Sequence, residues 1–238
     1  MSEGDINEDF YLCEGIWLDK GNKTLTDEDT KHKLDINNID DMIIIFKREV
    51  EAWLFAPMNQ LMNDDKDINS SYRPFKNAIF MLFGIFSYIE KIQRYKDGEP
   101  YISGDSKSTK ILTLGFKNIF GSNKKSEFGD KKISTILENT RHTMMHSGNI
   151  GDKVLLNYDY ANANAVTYIG SNKNLCKIEL NPYSMLLAIA KDFDEYLKNI
   201  KDGATRQDNF KTVFKSVYSD EIKLLYKREN FISLKVKI

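Results

Sequence analysis

Only two cysteines occur among 238 residues, Cys13 and Cys176, too few for a disulfide framework and suited to a reducing compartment. Four prolines and thirteen glycines exclude collagen-like and low-complexity architectures. No apolar run approaches the ~18 consecutive residues that a membrane span needs. The first thirty residues are acidic and lack the apolar stretch of a signal peptide. These absences predict a cytoplasmic protein with no membrane association. Histidine is scarce, with three residues, and arginine contributes only six of the 34 Lys+Arg positions. In a chain so biased towards lysine a lysine cluster says little, and each arginine or histidine says more.

What is present points to a folded domain. The chain is 41% apolar and 29% charged, outside the range of wholly disordered sequences. At this length folding should bury roughly 70% of the unfolded surface, and one compact domain with insertions is expected. Formal charge is balanced at −1, but its distribution is not. Residues 1–41 carry twelve acids against four lysines, residues 107–153 nine bases against four acids, and residues 203–238 eight bases against four acids. A polyanion would be attracted locally rather than by the whole molecule.

Hydrophobic periodicity divides the chain. Residues 1–38 read as an acidic N-terminal segment of loops, with a short strand near Tyr11–Leu18. Asn38 is a good N-cap for a first helix whose apolar face is Ile39, Met42, Ile43, Phe46, Val50, Trp53 and Leu54. Pro57 should kink or end that helix. A second helix, predicted from Pro74 to about Tyr95, is apolar nearly all round, as expected of a central helix touched from several sides. Gly98-Glu99-Pro100 stops it. Helices follow at Lys110–Phe120 and from Asp130 to Ser147–Gly148. Val154–Leu156, Ala165–Ile169 and Leu175–Leu180 read as short strands, and Asn181-Pro182 opens a further helix that Gly203 ends. The tail offers an amphipathic helix (Phe210, Val213, Phe214, Val217) and an alternating strand at Ile232–Ile238. The fold class is mainly α, an antiparallel helical bundle over residues 39–203. A small β-hairpin or sheet insertion, about 153–180, sits between its last two main helices, and 204–238 forms a C-terminal tail.

The residues that carry chemistry lie in one turn, Arg141-His142-Thr143-Met144-Met145-His146. On a helical wheel with Ile133 at zero, Ile136, Leu137, Thr140 and Met144 fall within roughly 60° and form the buried stripe. His142 and His146 fall near 180° and 220°, Arg141 near 80° and Met145 near 120°. Three readings are open. The histidines are ordinary surface residues; or they chelate a metal at i, i+4, although no nearby acid–histidine cluster supplies further ligands; or arginine and histidine act together on a phosphodiester. Arginine brings a permanent forked charge suited to phosphate oxygens, and histidine can take and return a proton near neutrality.

An arginine, a polar residue, three further residues and a histidine, late in a main helix of a bundle, resemble the signature of HEPN domains. These are small helical nucleotide-binding and ribonuclease domains found in toxin–antitoxin and antiviral, phage-defence systems. The resemblance covers residues 39–200, with Arg141 and His146 as the motif pair and His142 as the polar neighbour. It implies a metal-independent endoribonuclease (a hydrolase-type nuclease without cofactor) in which the substrate's own 2′-hydroxyl attacks the adjacent phosphate. His146 would serve as general base or acid, Arg141 would stabilise the phosphoryl oxygens, and His142 would orient the phosphate or share the proton work. The wheel sets Arg141 and His146 about 140° apart, awkward for a single chain. Family members typically dimerise, which implies a homodimer with Met145 as a dimer contact. Glu90 on the central helix is a candidate to orient Arg141 by a salt bridge, or else an ordinary surface acid. The implied partners are RNA, a second copy and an antitoxin or regulatory protein. Two departures stand out: Gly148 replaces the tyrosine that some nucleotidyltransferase-paired members carry, and His142 replaces the commoner asparagine. The alternatives are a catalytically silent HEPN-like module binding RNA, nucleotide or a partner protein, and a helical scaffold with surface histidines. The acidic N-terminus would lie over the basic site and restrain it.

Overall fold

Local capping fixes where the main helices begin. The Asn38 side chain accepts the Asp40 backbone N–H at 2.9 Å and opens α1 (Ile39–Val50). The Asn181 side chain likewise accepts the Ser184 N–H at 3.2 Å, with Pro182 in the first turn of α6 (Pro182–Asn199). The computed structural model describes residues 10–19, 24–66, 77–102, 107–121, 130–157, 164–171 and 174–227. Pro74 and the strand expected at Ile232–Ile238 lie outside the described residues. Among the described residues the protein is mainly helical, with two small sheets.

The helix that Pro57 is expected to kink or end runs on past it with a distorted turn. Residues Glu51–Phe55 form a single π-helical turn, closed by the Ala56 N–H on the Glu51 carbonyl, and α2 (Ala56–Lys66) runs on from it. The wider turn absorbs the crowding that a proline ring imposes one turn back. It also shifts the apolar stripe by one residue. Met42, Phe46 and Val50 are buried as the spacing predicts, but Phe55 follows them into the core while Trp53 is 57% exposed.

The central helix is α3 (Ala78–Asp97), ended by Gly98 at φ 69°, a left-handed conformation that favours glycine. It packs against α2, α4 (Ser108–Phe120), α5 (Asp130–Ser147), α6 and α7 (Ala204–Lys227). The α3–α4 approach is close: a Cβ on Gly115 would lie 2.8 Å from Ile89 Cγ2 and 2.9 Å from the Ile89 carbonyl oxygen. Aromatic rings from four helices meet around Phe46, which lies 4.3 Å from Tyr95, 5.5 Å from Phe210 and 5.7 Å from Phe193, centroid to centroid.

The N-terminal segment corrects the expectation of loops. It forms an antiparallel four-stranded meander, β1 (Phe10–Cys13), β2 (Ile16–Asp19), β3 (Thr24–Asp27) and β4 (Lys33–Leu34), in register through Leu18↔Leu25 and Leu25↔Leu34. Cys13, Ile16, Leu18, Leu25 and Leu34 point into the same core as the helices. Several acids of this segment and of the first turn of α1 make ion pairs. Asp27 and Asp29 pair with Arg48, Asp41 with His32 and Asp40 with Lys201.

Between α5 and α6 lies the second sheet, in the order β5 (Val154–Leu156), β7 (Asn174–Leu180), β6 (Val166–Ser171). β6 and β7 are an antiparallel hairpin, and β5 joins β7 in parallel. Buried Ile178 and Leu180 anchor it beneath α5 and deliver the chain to the Asn181 cap.

Candidate functional site

Helix α5 divides as its sequence dictates. Ile133, Ile136, Leu137, Thr140 and Met144 are buried and hold the helix against the bundle. The Thr140 hydroxyl, which burial would otherwise strand, donates to the Ile136 carbonyl at 2.7 Å. On the opposite face His142 and His146 are exposed, with ring centroids 4.4 Å apart at 45°. Met145 is 66% exposed. The helix ends at Gly148, whose φ of 66° turns the chain away; its N–H bonds the Met144 carbonyl at 3.1 Å.

Arg141 faces the other way, towards α3. Its Nη1 lies 3.0 Å from Glu90 Oε2. Glu90 is shared: its Oε1 accepts from Arg94 Nη2 at 3.0 Å and from Arg94 Nε at 3.3 Å. One carboxylate therefore bridges two guanidiniums. The two arginines differ in surroundings. Arg94 is 5% exposed at the side chain and also donates to the Pro100 carbonyl and the Ser108 hydroxyl. Arg141 is 42% exposed, and among the described residues its one ion pair is with Glu90. With the head part-exposed and lining a cavity, its other N–H groups can serve an anion.

Arg141, Glu90 and Arg94 line one side of an open cavity of about 300 Å³, completed by Lys91, Tyr101 and α7. Lys91 is tied back to buried Glu49 at 2.7 Å, and the Tyr218 hydroxyl donates to the same Glu49 oxygen. Burial, then the Glu49 charge, pushes the Tyr218 hydroxyl well above the ordinary tyrosine range, so it keeps its proton for that bond.

The structure thus brings Glu90 to Arg141 and His142 to His146, but not Arg141 to the histidines. Neither imidazole lines the cavity, and among the described residues neither makes a hydrogen bond or ion pair with Arg141. Nor do the described residues contain a group of three or more His, Cys, Asp or Glu side chains placed to hold a metal ion.

Comparison with family models, curated proteins and solved structures finds no match to this chain.

Among the described residues no helix is long and apolar enough to cross a membrane. Sequence reasoning missed Arg94, Lys91 and Tyr101 as neighbours of the site. The signal for Arg94 was in the chain: it is the single arginine of α3, four residues after Glu90, a spacing that puts both on one helix face.

Proposed function

We propose that this protein is a metal-independent, HEPN-type endoribonuclease whose site is completed by a second copy of the chain. One observation carries the reading: two exposed imidazoles side by side at the end of α5, next in sequence to an arginine that Glu90 holds in place. A histidine pair can divide the proton work of RNA transesterification. One imidazole takes the proton of the 2′-hydroxyl as its oxygen bonds to phosphorus. The other gives a proton to the 5′-oxygen as the P–O5′ bond breaks, leaving a 2′,3′-cyclic phosphate and a 5′-hydroxyl. Arg141 stabilises the charge that gathers on the non-bridging oxygens. His146 is the motif histidine, with His142 as its partner in proton transfer or phosphate orientation.

The opposed directions of Arg141 and the histidines support the homodimer. In a two-fold pair the arginine of one copy can approach the histidines of the other, and exposed Met145 between them supplies apolar contact. A toxin or defence effector, restrained by an antitoxin or regulator, is the role that this chemistry suits.

The test is cleavage of mixed RNA in EDTA by wild type, Arg141→Ala and His146→Ala. Each variant should lose roughly 100-fold or more in rate. Equal cleavage by all three, or comparable cleavage of an all-DNA oligonucleotide, overturns the proposal. Met145→Glu should sediment as a monomer and lose activity; a wild-type monomer that cleaves RNA removes the dimer. A second reading, a catalytically silent module that binds RNA, nucleotide or a partner protein, is favoured by the separation of Arg141 from the histidines. RNA binding with no cleavage in the same assay would select it.

A further inference from the structure

The cavity beside Arg141 has two unlike walls. On α3, Glu90, Lys91 and Arg94 present charge, with Arg141 joining from α5. On α7, Val213 and Val217, one turn apart, present methyl groups. Across the mouth stands Tyr101, in the segment after α3. The Arg94 guanidinium carbon lies 5.3 Å from the centroid of its ring, a cation–π distance. Arg94 is itself fixed by Glu90, Pro100 and Ser108, so the ring rests on an immobile support. Yet Tyr101 is 63% exposed. An aromatic ring held from beneath and open to solvent is a stacking platform. A lone exposed tyrosine would be unremarkable, but this one borders a cavity large enough for a flat heterocycle and stands over the arginine pair.

We propose that this cavity is a base-binding subsite, taking one unpaired nucleobase of single-stranded RNA against Tyr101 while the adjoining phosphate is held by Arg141. This rests on the reading of the site as one that acts on RNA. Each wall has its part. The tyrosine ring and the valine methyls receive the two hydrophobic faces of the base. The Arg141 N–H groups not engaged by Glu90 meet the backbone anion. The part-exposed Arg141 guanidinium beside the cavity suits a nucleotide unit better than a neutral aromatic ligand. Because α7 forms a wall, a helix with no part in the Arg–His motif becomes part of the binding surface.

The subsite reads the base, not the sugar. A DNA oligonucleotide of the same sequence should therefore bind through it and remain uncut.

The experiment measures binding of a fluorescent eight-nucleotide single strand in EDTA, by anisotropy, to the full chain and to Tyr101→Ala and Tyr101→Phe. Stacking on one ring should make Tyr101→Ala bind about tenfold more weakly, within the span measured for base–aromatic stacks, and Tyr101→Phe should match wild type. A series of strands with a single abasic position should reproduce the loss at one position, and Tyr101→Ala should add nothing further there. Wild-type affinity in Tyr101→Ala, or the same loss against a fully abasic strand, overturns the proposal. Inhibition by a free mononucleotide as potent as the oligonucleotide also overturns it, because the ligand is then a small molecule rather than RNA. The cleavage assay is independent. Base-dependent binding without cleavage would keep the subsite and discard the nuclease; cleavage that needs Arg141 and His146 but ignores Tyr101 would do the reverse.

Discussion

Glu90 holds two arginines in different surroundings, so replacing it should cost far more than removing the arginine that faces solvent. In Glu90→Gln the side chain keeps its shape but loses its charge. Arg94, 5% exposed, then loses the carboxylate oxygen that accepts two of its N–H groups. Removing one partner of a buried ion pair costs about 3–5 kcal/mol, and the acceptor oxygen that glutamine retains should bring this to about 2–3. Arg141→Ala removes a pair whose cation is 42% exposed, and solvent screening limits that loss to about 1 kcal/mol or less. For a chain of this length each kcal/mol lowers Tm by about 2–4 °C. Glu90→Gln should therefore melt roughly 5–10 °C below wild type and Arg141→Ala within a few degrees of it. Urea titration followed by circular dichroism supplies the free energies, with the slope checked for two-state behaviour. If Glu90→Gln is no less stable than Arg141→Ala, the bridging carboxylate does not hold Arg94, and the account of a fixed arginine beneath Tyr101 fails with it.

Two further perturbations test the packing and the buried groups. Gly115→Ala gains helix propensity of at most about 1 kcal/mol, but its Cβ meets the Ile89 backbone as well as its side chain; net destabilisation of about 1–2 kcal/mol is expected by thermal melting, and a gain in stability would show that α3 and α4 can part freely. Burial, then the Glu49 carboxylate, pushes the Cys13 thiol up to about 12, and burial, then Asp192, raises Tyr88. Both groups stay protonated in the fold at pH values where the unfolded chain ionises. Stability is complete below pH ~8.5 and declines as pH rises towards 12. A urea midpoint that held constant from pH 8 to 11 would contradict that burial.

The main helices were legible because their apolar residues recur at helical spacing and their caps are chemically explicit, as Asn38 and Asn181 show. The second sheet was legible from its alternation and turn residues. The first was not. Its strands are four residues or fewer, with Glu14-Gly15 and Gly21-Asn22 in the sequence between them, so composition pointed to loops although Ile16, Leu18 and Leu25 alternate towards the core. On α5 the wheel separated Arg141 from the histidines, and the structure has the arginine against Glu90 and the imidazoles in the open. What no periodicity could supply was the company that α3 and α7 bring to Arg141. Arg94 reaches it through a shared carboxylate, and Tyr101 reaches Arg94 through ring stacking. Both are tertiary juxtapositions.

The π-helical turn before Pro57 makes the register of α2 depend on a single inserted residue. Deleting one position within Glu51–Phe55 would let the segment close as an ordinary α-helix with α2 nearly in its present orientation, because the wide turn fits one extra residue into about the same sweep. Met58, whose sulfur occupies the notch that Gly84 leaves on α3, would then keep its socket and Phe55 its place beside Tyr88 and Phe193. What a one-codon deletion there returns is the crowding of the Pro57 ring on the preceding turn, so combining it with Pro57→Ala should restore most of the stability lost.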